Sequence, residues 1–374
     1  MQEYDYIFAG VGLSSLVLLN KLYEAELIQN KRILLIDPNL NNTSQKHICF
    51  WNNADDKLLD PYTLKSWRTI SVAKSGDKKS SFHLNSAYQL LNFSKFKQGV
   101  LSKIMALEGT QVSHSKVDRM DHQDQLLIDD QNNTHHYKFL FNSITSFDAD
   151  FLQQFVGYVI ECPEKSFEYD RVTLMDFSND SKLDAIEFEY ILPYTANKAL
   201  VEYTLLTKEL KPWSELETIL KHQLSQNYPN YKIVDSEQGA IPMTVQSCDK
   251  SKFTNVIELG IGAGMQRASS GYLLNQAIDY ANYISNCIRD NKVIKPFQFS
   301  ARVRFYDKVF LRVMRDFPTQ VPTYFYSMFK KMGGDRMFDF LSGKTSILQE
   351  IRLMKALPTL RFTKYAFYEW FGIK

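Results

Sequence analysis

The chain has 374 residues, a formal net charge of +2 and 44% hydrophobic residues. This is enough apolar material for one large or two interleaved domains and argues against disorder, and the near-neutral balance gives no overall reason to expect nucleic acid as a partner. The cysteines Cys49, Cys162, Cys248 and Cys287 lie far apart without a CxxC pair, so neither a metal site nor a disulfide framework is expected, and a reducing cytosol fits.

Tyr4 to Ala9 is a short apolar run that predicts a strand. Gly10 and Gly12 follow, then "LSSLVLLNKLYEAEL", whose Leu16, Leu19, Leu22 and Leu27 recur at roughly helical spacing, and "RILLIDP" as a second strand. In this β-α-β unit, "FAGVGLSS" sets Gly10 and Gly12 at the first two glycine positions of a dinucleotide-binding turn. The first permits a tight turn, and the second lets backbone approach a pyrophosphate at the helix N-terminus. Ser15 takes the third position, and Asp37 ends the second strand where a ribose hydroxyl is accepted. The opening "MQEYDYIFAGVG" has no basic segment before its strand, so no signal peptide is expected.

"KHICFW" (46–51) carries His47, Cys49, Phe50 and Trp51. Aromatics after a strand usually join the core, but their faces also suit a cation. Residues 67 to 140 hold pieces in no clear order. Toward their end, "DDQNNTHHYKFLFNSI" reads as a hairpin, with Asn132 and Asn133 in the turn and Tyr137 to Phe141 as its second strand. From Phe167 to Leu206 the pattern alternates between turns at "FSNDSK" and "PYTANK", which predicts a mixed or antiparallel sheet. Within it, Leu200, Glu202 and Thr204 point one way and Val201, Tyr203 and Leu205 the other. Glu202 therefore stands either on a solvated face or inside a pocket. Glu237, in "EQGAIP", is a second candidate carboxylate, for proton transfer or for a salt bridge.

"NVIELGIGAG" is a strand entering a second glycine turn, with Gly262, Gly264 and Gly271 ahead of the amphipathic helix in "SGYLLNQAIDYANYISNCI". Amides at such a helix start favour an anion, and an ordinary glycine loop is the other reading. With the first turn at the extreme N-terminus, the second favours FAD over NAD. From Phe305 onward the pattern is helical. In the stretch Phe297 to Lys374 basic residues outnumber acidic ones, and "FTKYAFYEWFGIK" mixes aromatics with Lys364 and Lys374. That composition serves a helix on the core or one lying on an anionic membrane. No run approaches the ~20 apolar residues of a membrane span.

The expected fold is α/β: a Rossmann-like FAD-binding domain (1–75 and 235–300), an interleaved mixed β-sheet substrate domain (76–234), and a helical C-terminal region (301–374).

These motifs together resemble the flavin-dependent lycopene cyclases of carotenoid biosynthesis. That family has an N-terminal glycine turn, segments like HTWCFW, FLEET and GAIP, and a late glycine turn ending in TGY. Here they read "AGVGLSS", "KHICFW", "ALVEYT", "QGAIPMT" and "GAGMQRASSGY", in the same order, and the likeness runs from Tyr4 to about Leu360. Tyr203 replaces the second acid of FLEET, and Arg267 stands where the family has a histidine.

The resemblance implies a lycopene β-cyclase, an isomerase that closes the ends of lycopene into the β-rings of γ- and β-carotene without net redox change. Glu202 then matches the essential acid, and Glu237 is a candidate for the final deprotonation. His47, Phe50, Trp51 and Tyr203 are expected around the cation. The resemblance also implies reduced FAD as cofactor, NADPH or NADH as reductant, and a carotenoid drawn from the membrane by a cytoplasmic, peripheral protein. Two alternatives stand beside it: an FAD-dependent oxidoreductase (monooxygenase or prenyl reductase) acting on an apolar isoprenoid, and a carotenoid carrier without turnover.

Overall fold

The computed structural model describes residues 3–42, 44–51, 57–144, 149–178, 185–245 and 252–373; the latter part of the "FSNDSK" turn, and Cys248, lie outside the described residues. The chain alternates between two sheets. It starts in the first with β1 (Glu3–Ala9), α1 (Leu13–Glu24) and β2 (Ile33–Ile36), then enters the second with β3 (His47–Trp51), β4 (Thr63–Lys74) and β5 (Ser80–Asn92). It returns to the first through α2 (Phe93–Met105), β6 (Thr110–Ser113), β7 (Val117–Asp121), β8 (Leu126–Asp129) and β9 (Thr134–Asn142). The second sheet is completed by β10 (Phe151–Glu161), β11 (Arg171–Phe177), β12 (Ile186–Pro193), β13 (Lys198–Thr207) and, after α3 (Trp213–Asn227), β14 (Lys232–Met243). β15 (Val256–Glu258) and α4 (Leu274–Arg289) rejoin the first. Last come α5 (Ala301–Asp316), α6 (Val321–Met332), α7 (Gly334–Leu341), α8 (Ile347–Met354) and α9 (Thr359–Trp370).

The first sheet runs β6-β2-β1-β9-β8-β7, with β15 also on β9. Its centre is parallel, Ile7 pairing with Leu34 on one side and Leu140 on the other. Such strands, covered on both faces, are apolar throughout, as "YIFA" and "ILLI" are. Leu16 and Leu19 of α1, Phe96 of α2 and Ile278 of α4 share one core with Phe8 and Phe141.

The second sheet runs β14-β10-β13-β12-β11-β4-β5-β3. α3 covers one face, where Leu216, Leu220 and Leu224 meet Val201, Tyr203 and Leu205. The C-terminal helices cover the other, where Phe310, Phe329 and Phe338 join Trp67, Tyr88 and Leu200. The sheet is strongly coiled: β3 and β14 are its two edges, yet the backbone N–H of His47 on β3 donates to Glu237 Oε2 on β14 at 3.2 Å.

The two-sheet architecture and the helical C-terminal region match expectation, but the boundaries between the first two domains do not. β3, β4 and β14 belong to the second sheet, whereas β6 to β9 belong to the first. The hairpin at 126–142 is present, with Asn132 at φ +62°, but its second strand also pairs in parallel with β1. Such pairing across more than a hundred residues leaves no local trace in periodicity.

Candidate active site

The N-terminal turn has the geometry of a phosphate cradle. Gly10 has φ +78°, and a Cβ there would lie 2.7 Å from Ser143 Oγ, so both backbone conformation and space require glycine. Gly12 precedes α1 with nothing within 4 Å of where a Cβ would stand, and the helix has no side-chain cap. Its first N–H groups are therefore open to an anion approaching past Gly12. Ser15 is fully buried, and its hydroxyl donates to Gly10 O at 2.8 Å, fastening helix to strand where a third glycine would only allow them close. Asp37 accepts from the Val11 N–H through Oδ2 and from the Asn39 N–H through Oδ1, which binds the end of β2 to the turn. Each oxygen keeps a lone pair for a ribose hydroxyl. These residues fit a dinucleotide such as FAD.

Of the late glycines, Gly264 (φ +70°) and Gly271 (φ +77°) sit at left-handed positions, and Gly271 abuts Gln153 and Ile241 of the second sheet. The glycine that approaches the first turn is another, Gly260: its Cβ position lies 3.3 Å from Ser14 Oγ. Gly262 instead lines a small cavity with Glu258 and Tyr280 on the β15 side. The loop between is tied to the C-terminal helices by Arg267, buried, whose Nη2 and Nε donate to the two oxygens of Asp307 at 2.8 and 3.1 Å. Arg267 also caps the end of α7 through Phe340 O at 2.7 Å. It serves structure, not the acid pocket.

The carboxylates converge around one glycine. Gly157 on β10 pairs with Glu202 on β13 and with Glu237 on β14, so the two acids flank it on one face of the sheet, their α-carbons roughly 10 Å apart at two strand spacings. A Cβ at Gly157 would stand 3.5 Å from Glu202 Cβ, 3.4 Å from Glu237 Cγ and 3.0 Å from Leu200 Cδ1. Its absence gives the two side chains room.

Glu202 is 8% exposed, and Thr204 Oγ1 donates to its Oε1 at 2.6 Å. Burial, then the neighbouring Glu237 charge, pushes its carboxyl up to about 8, against the smaller opposing effect of the Thr204 hydrogen bond. Glu237 has different company. His47 Nδ1 lies 2.8 Å from its Oε1, a close contact off the line of an aligned hydrogen bond, in addition to the backbone N–H on Oε2. His47 Nε2 in turn lies 2.5 Å from the Tyr194 hydroxyl.

An aromatic wall completes the pocket. Cys49 and Trp51 share the face of β3 that carries His47. Burial raises the Cys49 thiol to about 12, with Tyr190 and Tyr88 as hydrogen-bond partners. Tyr88 bonds to both Tyr190 (2.9 Å) and Tyr272 (3.1 Å) through hydroxyls that burial holds well above the phenol range. Trp51 is stacked on Phe338 at 4.5 Å, meets Tyr272 edge-on at 4.7 Å, and donates Nε1–H to Ser342 Oγ.

Two expected residues lie elsewhere. Tyr203 points to the opposite face of β13, beneath α3, where its hydroxyl donates to Glu187 Oε2. Phe50, one residue from Cys49 and Trp51, turns into the core of the first sheet with Leu91 and Leu274. In both cases strand alternation carries the ring away from Glu202. Tyr194, Cys49, Tyr88, Tyr190 and Tyr272 were not anticipated in the pocket. Gly157 had a signal, since a lone glycine inside an apolar strand run marks close approach.

Solved structures share this architecture. A geranylgeranyl bacteriochlorophyll reductase-like protein of Thermoplasma acidophilum is similar at TM-score 0.60 and 12% identity, covering 95% of this chain and 96% of that one. A flavoprotein/dehydrogenase of Cytophaga hutchinsonii matches at 0.58 and 9%, covering 100% of both chains. A probable FAD-dependent monooxygenase of Pseudomonas aeruginosa matches at 0.53 and 11%, over 92% of this chain and 99% of that one. These likenesses show a shared fold. A comparison with curated proteins gives no significant match. The family model described as lycopene cyclase protein matches residues 5–366, and the chain belongs to the lycopene cyclase family.

Proposed function

We propose that the chain is a lycopene β-cyclase, a redox-neutral isomerase whose general acid is Glu202. The observation that carries this reading is the pair of carboxylates around Gly157 with opposite surroundings. An alkene is a very weak base, so its protonation needs a carboxylic acid kept neutral in a dry site. Glu202 meets that need, because burial and the nearby Glu237 charge favour its protonated form at neutral pH.

In the proposed reaction the Glu202 carboxyl gives its proton to the terminal double bond of lycopene, leaving a tertiary carbocation. The neighbouring double bond attacks it, which forms one carbon–carbon bond and closes the six-membered ring. The cation moves into the ring and loses a proton to Glu237, which His47 holds in place. One proton enters and one leaves, so substrate and product are isomers. Return of the proton from Glu237 to Glu202 resets the pair. Trp51, with Tyr88 and Tyr272, excludes the water that would trap the cation as an alcohol and offers aromatic surface to it.

Gly10, Gly12 and Asp37 would hold FAD, with Ser15 fastening the turn beneath it; in its reduced form FAD would supply negative charge to the cation, with NADPH or NADH as its reductant.

The substrate dissolves in bilayers, so docking at the cytoplasmic face of the membrane belongs to this reading. Among the described residues no helix is long and apolar enough to cross a membrane. α8, α9 and the residues after them expose Leu348 (80%), Leu360 (91%), Trp370 (76%) and Phe371 (62%), with Arg352, Lys355 and Lys364 exposed among them. That mixture supports a peripheral site on an anionic surface.

The test is anaerobic incubation of the protein with FAD, NADPH and lycopene in liposomes, with pigments separated by chromatography. Wild type is expected to form γ- or β-carotene with no NADPH consumed per ring, and Glu202→Gln to form neither. Absence of cyclised product from wild type, or NADPH consumed in step with product, refutes the cyclase reading; the latter outcome favours the oxidoreductase.

A further inference from the structure

The C-terminal helices enclose a second chamber of about 320 Å³, separate from the acid pocket. Phe310 of α5, Met328 of α6 and Leu341 of α7 form its wall, and Met354, Thr359 and Thr363, all exposed, form its rim between α8 and α9. The polar side chains on its inner surface are already engaged: Asp307 accepts from Arg267 and from Ser269, and the Tyr306 hydroxyl donates to Glu350. What remains for a ligand is hydrocarbon surface. The volume is about twice the ~150 Å³ of an engineered apolar cavity that stays dry and takes up benzene.

Two further features say where a ligand would come from and where it would lead. Leu360, next to Thr359 of the rim, and Trp370, whose ring meets Phe305 of the lining, are both exposed, which sets apolar surface beside the opening for a chain leaving a bilayer. At the inner end stands α7, whose two faces serve the two spaces. Met337 and Leu341 line the chamber, while Phe338 stacks on Trp51 and lies 5.5 Å from Tyr88 in the acid pocket. Residues of both spaces, from Trp51 to Phe310 and Leu353, belong to one continuous apolar cluster.

We propose that this chamber binds one hydrocarbon chain, isoprenoid or acyl, taken from a bilayer, with its end against α7. The chain's role as substrate rests on the cyclase reading, but its binding does not. The probe is 1-bromododecane, whose bromine quenches tryptophan fluorescence. Trp370 is a reporter, since its ring lies 6.2 Å from that of Phe305, which lines the chamber. Saturable quenching at one equivalent per chain is expected, accompanied by a rise in melting temperature. Leu353→Phe and Ala366→Phe fill the chamber from two sides and are expected to weaken binding at least tenfold, while Glu202→Gln binds as wild type. If Leu353→Phe does not fold, Ala366→Phe at the rim carries the comparison.

Non-saturable quenching, or filled variants that bind like wild type, overturns the proposal. Competition identifies the source: displacement by squalene supports an isoprenoid occupant, displacement by dioleoyl phosphatidylglycerol an acyl chain, and displacement by neither overturns both. A protein that binds bromododecane but does not cyclise lycopene keeps the chamber and loses the cyclase reading; one that cyclises but shows no saturable binding does the reverse.

Discussion

Glu202 and Glu237 stand on either side of Gly157 in equivalent register, yet the two flanks are built differently. On the β13 side the carboxyl has one hydroxyl donor, from Thr204, and apolar neighbours such as Leu200. On the β14 side the sheet's far edge returns and brings His47, which contributes a backbone N–H and a ring nitrogen. The same residue type is thus given two different surroundings, which suit the opposite roles proposed for it, by what the coiled sheet places beside it. A neutral acid needs few donors, whereas a carboxylate needs several.

Breaking the β13 side has the largest expected effect. Glu202→Gln keeps the shape and removes the proton, so turnover is expected to fall by about 10²–10⁴-fold. In wild type, turnover is expected to hold at neutral pH and to decline as pH rises through about 8, where Glu202 loses its proton. The same shift has a consequence for stability. The folded-state value lies above the unfolded one, so this group's contribution is complete below about 4.5 and is lost as pH rises through about 8. Glu202→Gln does not titrate. Its melting temperature is expected to gain on wild type across that window. Equal pH dependence of melting in the two proteins would contradict the burial of this carboxyl.

Breaking the β14 side sharpens the comparison. Glu237→Gln removes both the proposed base and a charge that raises Glu202. A loss of about 10–100-fold in turnover is expected, together with an alkaline limb displaced to lower pH. A limb that stays in place would mean the two carboxylates do not sense each other.

The cradle offers a contrast in how structure is written into sequence. Gly10, Gly12, Ser15 and Asp37 sit within one β-α-β unit, so their spacing alone revealed the turn. Only the use of the Ser15 hydroxyl on Gly10 O was hidden. The acid pocket draws His47 from β3, Tyr194 from beyond β12, Glu202 from β13 and Glu237 from β14. Alternation placed Glu202 opposite Tyr203 correctly, and the same rule, applied to "HICFW", separates Phe50 from Trp51. What no local pattern contains is the coiling that joins the sheet's two edges, so the contact of His47 with Glu237 was not legible.

Gly10→Ala tests the cradle independently of the pocket. The backbone at φ +78° and the 2.7 Å approach to Ser143 Oγ predict a loss of about 1–3 kcal/mol in the apo protein by denaturant titration. FAD affinity is expected to fall with it, read by flavin fluorescence, while the pH dependence of melting assigned to Glu202 persists.

The smallest expected effect comes from Tyr194→Phe, and it decides whether the β14 side works as a unit. The hydroxyl sits 2.5 Å from His47 Nε2, and the opposite ring nitrogen faces Glu237. If the hydroxyl fixes the ring, its removal frees His47 to rotate away from the carboxylate. Turnover is then expected to fall about 3–10-fold, corresponding to one lost hydrogen bond of ~0.5–1.5 kcal/mol, with KM unchanged because Tyr194 acts through His47. A double change with Glu237→Gln is expected to be no worse than Glu237→Gln alone, since a residue that positions a partner has nothing to do once the partner is gone. Additive losses would show instead that Tyr194 supports the pocket through packing, and that His47 needs no help to hold Glu237.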